Sequence, residues 1–187
     1  MSWVFKKINK TILKSTKAKW LEILGDETEF NPSGYYQFLD SAEAKLEKRT
    51  VAPDSHCYAL SKKGDKHASA LFMITHALPK SPDSWVKVLD MRTSPAYDLR
   101  RPVSGKDTVF SRRETIGTII PKGLINILAL TYSAHKASKL KIWGNKQVDI
   151  DLFNIFKDLV EENKEYKNKD LGFSFNNYSQ WLEISKQ

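Results

Sequence analysis

Asp90 is the residue whose placement asks for a chemical reason. It lies in the stretch Trp85-Val86-Lys87-Val88-Leu89-Asp90-Met91-Arg92-Thr93-Ser94-Pro95-Ala96-Tyr97, which alternates as a strand does. Trp85, Leu89 and Met91 fall on one face with Lys87. Val86 and Val88 fall on the other, and Asp90 and Arg92 continue that second face. A carboxylate near the end of a strand that is apolar on both sides is costly unless it is paired or hydrogen-bonded. Pro95 then ends the ladder, because it has no N–H to donate. Asp90 is therefore either a structural group, capping a turn or pairing with Arg92, or part of the floor of a site.

The remaining chemistry-bearing residues narrow the choice. His56, His67, His76 and His135 have no metal-ligand spacing among them. Cys57 is the single cysteine, so an internal disulfide and a multi-cysteine zinc site are both excluded, and a reducing cytoplasm suits it. It neighbours His56 within a strand, where adjacent residues face opposite sides, so the two do not form a nucleophilic pair. A cluster of cations, Arg100, Arg101, Arg112, Arg113 and Lys122, precedes an apolar helix. The net charge of +8 says that an anionic partner is attracted: a phosphate-rich cofactor, nucleic acid or an acidic protein.

The elements that must position these residues follow from the whole chain. Its 187 residues, 41% hydrophobic and 28% charged, fit one globular domain over 1–187 with a substantial core. No apolar run approaches the ~20 residues of a membrane span, and the N-terminus has no signal-peptide pattern, so no membrane partner is expected. Residues 2–8 read as a first strand. Ile12, Leu13, Thr16, Trp20, Ile23 and Leu24 recur at helical spacing before Gly25, a helix stop. Asn31-Pro32-Ser33-Gly34 is a turn that opens a second helix. Strands follow at 56–60, 68–78 and from Trp85, with short connections that make a meander. Residues 96–122 read as an inserted or extended loop, with an extra strand over 115–120. A buried helix over 123–138, a strand over 140–144, an amphipathic helix over 148–163 and a final hairpin complete the chain. Leu152, Ile155, Phe156 and Leu159 form the stripe of that last helix.

The order β, α, α, β, β, β, α, β, α, β, β resembles the Gcn5-related N-acetyltransferase fold. The fourth strand of that family often reads Leu-acidic-Leu-x-Val-x-Pro-x-aromatic, and Leu89-Asp90-Met91-Arg92-Thr93-Ser94-Pro95-Ala96-Tyr97 is similar. The resemblance implies a mixed α/β, three-layer fold: a central, mostly antiparallel twisted sheet flanked by helices. It implies an N-acyltransferase with acetyl-CoA or another acyl-CoA as co-substrate and a primary amine as acceptor. It implies Asp90 as general base, with Met91, Arg92 and Thr93 flanking the thioester. The apolar neighbours Val88, Leu89 and Met91 suit that role by raising a carboxylate pKa through desolvation.

Two departures stand out. The glycine-rich phosphate loop that follows the proline in the family is replaced here by Asp98, Arg101 and Val103. Arg112, Arg113 and Lys122, with Gly123 at the start of the buried helix, are the residues left to hold the phosphates. The family's tyrosine acid would fall near Leu152, where there is no tyrosine. These departures give the alternative reading: a catalytically inactive protein of this fold that binds an acidic protein or nucleic acid.

Overall fold

The computed structural model describes residues 2–25, 34–47, 54–99, 108–144, 147–162, 172–178 and 181–186. The chain runs β1 (Trp3–Lys7), α1 (Lys10–Leu24), α2 (Tyr35–Leu46), β2 (Ser55–Lys62), β3 (Ala70–Ala77), β4 (Trp85–Thr93), a 3-10 turn (Pro95–Tyr97), α3 (Val109–Tyr132), β5 (Lys139–Trp143), α4 (Gln147–Glu161), β6 (Phe173–Tyr178) and β7 (Trp181–Lys186). The strands form one seven-stranded sheet in the order β1-β2-β3-β4-β5-β7-β6. β1 pairs antiparallel with β2, β5 with β7, and β7 with β6, whereas β4 and β5 are parallel. This is the mixed, mostly antiparallel architecture that the element order implied.

The residues group into two compact units, Met1–Met73 with Asp90–Ile119, and Ile74–Leu89 with Ile120–Gln187. In the first unit, α1 starts where the Asn9 side chain accepts from the Ile12 N–H at 2.8 Å. It ends at Gly25, the expected stop, whose φ of +74° is backbone that favours glycine. Its apolar stripe, Ile12, Leu13, Trp20 and Leu24, packs with Phe38, Leu39 and Ala42 of α2 and with Cys57, Ala59, Leu71 and Met73 of the strands. Two side chains of α1 secure the backbone just before β3. Thr16 Oγ1 accepts from the Ala68 N–H at 2.9 Å, and Trp20 Nε1 donates to the Ala68 carbonyl at 3.0 Å. Both polar groups of a buried residue are thereby satisfied, which spares the cost of burying them unpaired.

In the second unit, Val86, Val88, Leu140, Ile142, Leu182 and Ile184 are buried on one face of the strands. Leu124, Ile127 and Leu128 of α3 and Leu152, Phe153, Phe156 and Val160 of α4 are buried with them. The stripe of α4 therefore differs from the expected one. Ile155 and Leu159 are 41% and 37% exposed, while Phe153 and Val160 take the inward positions. Several apolar sets at helical spacing were available, and burial of the two-ring set Phe153 and Phe156 selected this rotation.

The expectation of a loop over 96–122 is corrected. Residues 95–97 form a 3-10 turn, and α3 begins at Val109, absorbing both the strand expected over 115–120 and the start of the helix expected at 123. Residues 100–107 lie outside the described residues. The helix ends at Tyr132, short of residue 138. Pro121 sits inside it and lacks the N–H that would reach the Gly117 carbonyl, a defect worth ~3 kcal/mol. Burial of Ile119, Ile120 and Leu124 around it, at roughly 1.5–3 kcal/mol each, outweighs that cost. By length and composition α3 is also a helix that could cross a membrane, yet these same residues are buried within the protein.

Candidate active site

Asp90 stands three residues before the end of β4, in the first compact unit. The parallel ladder with β5 runs from Trp85↔Lys139 to Val88↔Ile142, and Leu89–Thr93 continue past its last pair. The strand is not apolar on both sides here, as the sequence pattern suggested: Leu89 is 39% exposed and Asp90 is half-buried. One carboxylate oxygen, Oδ1, accepts from the Met91 N–H at 2.8 Å and lies 3.4 Å from Arg92 Nε. Residues two apart on a strand share a face, which is why this pair forms. Burial holds the Asp90 carboxyl above the ordinary carboxylate range. The Arg92 charge and the Met91 N–H pull it back without cancelling the effect. The structural pairing and the raised proton affinity therefore coexist at one residue.

The start of α2 completes the surroundings. Gly34 has a φ of +71°, a left-handed conformation that suits glycine, and Arg92 Nη2 lies 3.6 Å from where a Cβ would stand on it. Tyr35 is buried against Trp20, edge to face at 5.8 Å, and its hydroxyl donates to the Thr93 carbonyl at 3.2 Å. Tyr35 is thus a packing residue that fixes the end of β4. Ser94 then donates its N–H to the Ser69 carbonyl at 2.7 Å, and its hydroxyl caps the turn by accepting from Ala96.

The basic residues divide. Arg112 is 6% exposed, and its Nη1 donates to the Asp98 carbonyl at 2.8 Å. Its guanidinium ties the start of α3 to the chain leaving β4, a positioning role. Arg113, next to it, is exposed. Lys122 and Gly123 do not open a helix as expected. They lie in the middle of α3, Lys122 exposed and Gly123 buried, and the Lys122 carbonyl accepts from the Asn126 side chain at 2.8 Å. An interior helical position has no unpaired N–H groups to offer an anion, so the anion-favouring end of this helix is at Thr108–Phe110. Arg100, Arg101 and Val103 lie outside the described residues.

Sequence reasoning missed the cap that makes this helix start. Thr108 Oγ1 accepts from the Ser111 N–H at 3.0 Å, and Ser111 Oγ accepts from the Thr108 N–H at 3.1 Å. That is a reciprocal capping box with serine where glutamate or glutamine is usual. The signal, Thr108-x-x-Ser111, was present but reads equally as loop composition. Leu152, near which the resemblance would have placed a tyrosine, is buried in the core. Among the described residues no group of three or more metal-ligating side chains occurs.

No family model matches the chain, and no curated relative matches it. Solved structures do. The aminoglycoside acetyltransferase AAC(6')-Ib in complex with coenzyme A superposes with a TM-score of 0.55 at 11% identity, over 98% of this chain and 95% of that one. The PaiA N-acetyltransferase of Thermoplasma acidophilum, also in complex with coenzyme A, gives 0.49 at 12% identity over 100% and 99% of the two chains. An aminoglycoside N(6')acetyltransferase of Legionella pneumophila gives 0.48 at 11% identity over 98% and 92%. The element order, the parallel β4–β5 pair within a mostly antiparallel sheet and the superposition at 0.55 agree: the chain has the Gcn5-related N-acetyltransferase fold, with a sequence far diverged from these solved structures.

Proposed function

We propose that this protein transfers an acyl group from acyl-CoA to a primary amine, with Asp90 as the general base. The observation that carries the reading is the half-buried Asp90 carboxyl, held above the ordinary carboxylate range on the strand that the family resemblance would set beside the thioester. An acceptor ammonium must lose a proton before it can attack, and a carboxylate of raised pKa takes that proton more readily than an ordinary one. The freed amine adds to the thioester carbonyl, the C–S bond breaks, and the electron pair leaves with sulfur as a thiolate, which takes up the second proton that the nitrogen sheds as the amide forms. A thiol has an ordinary pKa of ~8.5, so the thiolate is a tolerable leaving group near neutral pH even without a tyrosine acid. Met91, Arg92 and Thr93 lie beside the reacting group in this reading. The start of α3, with the exposed Arg113, holds the phosphates by helix-end and side-chain charge together.

The test is Asp90→Asn, which keeps the shape and removes the base. Turnover with acetyl-CoA and a panel of small amines should fall ~10²–10⁴-fold while CoA affinity, measured by calorimetry, stays at the parent value. Turnover at the parent level would make Asp90 a structural partner of Arg92 alone. Absence of any melting-temperature rise with CoA would remove the acyl-CoA reading itself, since a ligand that binds the native state must stabilise it.

A further inference from the structure

On the second compact unit, β4, β5 and β7 present a second face, opposite to Val86, Val88, Leu140 and Leu182. The register places Trp85 and Lys87 of β4, Lys139, Lys141 and Trp143 of β5, and Trp181 and Glu183 of β7 together on it. Trp143 is 40% exposed and the others are half-buried. Trp85, Lys87, Lys141, Trp181 and Glu183 line a depression of about 460 Å³. Lysine ammoniums lie over two of the indole rings, Lys87 4.4 Å from the Trp181 centroid and Lys141 4.8 Å from that of Trp85. Glu183 is shared by Lys139 at 3.4 Å and Lys141 at 3.2 Å. Lys87 is paired with no carboxylate among the described residues. One acid among three lysines leaves this face positive.

We propose that this face binds a single-stranded polynucleotide, with Trp85, Trp143 and Trp181 stacking bases and Lys87, Lys139 and Lys141 meeting the phosphates. Flat aromatic surfaces interleaved with cations on an open sheet are what a single strand requires, because every base has a π-face and every linkage an anionic charge. Trp143 and Trp181 lie directly opposite each other across β5 and β7. Trp85 is two strands and four residue levels from Trp181, about 16 Å on ordinary sheet spacing, which leaves room for a short run of nucleotides between them. An exposed cation–π contact is weaker than a stacked base, so Lys87 and Lys141 can leave the rings for phosphate without net loss. A second copy is the poorer occupant, because an isologous contact would set lysines against lysines. An acidic polypeptide would satisfy the charge and leave the indole planes unused. The net charge of +8 over the whole chain favours the same class of partner. This proposal stands apart from the acyl-transfer reading.

The experiment titrates the full chain with a mixed-sequence 12-mer, as DNA and as RNA, at two salt concentrations, reading tryptophan emission and gel retardation. A duplex of equal length and polyglutamate serve as competitors. Either single strand should quench the emission and bind with a log affinity that falls by ~0.7 per phosphate contact with log salt. Lys87→Gln should reduce that slope by ~0.7. Trp181→Ala and Trp85→Ala should weaken binding about 5- to 150-fold. Lys87→Gln, at a half-exposed position, keeps the test valid if a tryptophan variant melts early. Absence of retardation at low salt overturns the proposal. So does polyglutamate competing as well as the oligonucleotide, which would assign the face to acidic polypeptides. So does tight binding that none of these variants alters, which would place the contact elsewhere on a basic protein.

Discussion

At the residue scale, Asp90 and Arg92 set each other's behaviour. Arg92 Nε lies 3.4 Å from the Asp90 carboxylate, and its charge is the largest influence holding the carboxyl down against desolvation. Arg92→Ala should therefore move the Asp90 pKa further up, and the acidic limb of the kcat/KM profile should shift to higher pH. An unmoved limb would mean that Asp90 is not the group titrating in catalysis. Stability carries the same sign. A carboxyl whose folded pKa stands above its unfolded value of ~3.9 favours the folded state fully only below that unfolded value. The contribution is lost as pH rises through the folded pKa. The melting temperature of Asp90→Asn should accordingly gain on that of the parent between pH 3 and pH 7. A constant difference across that range would show the carboxyl to be unperturbed.

At the element scale, the start of α3 decides where the candidate site ends and how the chain leaves β4. Two local devices hold it, the Thr108–Ser111 reciprocal cap and the Arg112 bond to the Asp98 carbonyl. Thr108→Ala should cost ~0.5–2 kcal/mol in urea unfolding, the usual worth of an N-cap. Arg112→Met keeps much of the buried volume but leaves the Asp98 carbonyl without this donor, at ~1–3 kcal/mol. If the helix start also holds the phosphates, both variants should raise the Kd for CoA, while Lys122→Ala, in mid-helix, should leave it unchanged. A larger effect from Lys122 than from Arg113→Ala would return the anion site to the position expected from sequence.

At the scale of the whole molecule, the core of the first unit has a chemical reporter. Cys57 is 3% exposed among Ala59, Leu71 and Leu39. Burial pushes its thiol up to about 12, a rise that the Lys45 charge and the Phe72 backbone hydrogen bond only reduce. The thiolate is the reactive form, so at pH 8 a disulfide reagent should modify Cys57 only when the core opens. Labelling should follow global unfolding and accelerate with urea in step with it. Labelling of the native protein at the rate of a free thiol would show that the packing of α1 and α2 over the strands is loose.

Local periodicity was enough to read most elements, because a two-residue or a 3.6-residue repeat is written in consecutive residues. β1, α1, β2 to β5, α4 and the closing hairpin stand within a few residues of where alternation, helical spacing and Gly25 put them. The Asp90–Pro95 stretch, with its pairing to Arg92, was legible for the same reason. Tertiary structure alone decided the rest. Whether 109–122 is loop or helix depended on burying Ile119 and Ile120, which no local pattern specifies, and with it went the helix start expected at Gly123. The rotation of α4 was a choice among apolar faces that only its packing could make. The tryptophan and lysine face exists because residues near 85, 141 and 181 are brought into one register, and a strand's own sequence does not name its neighbours.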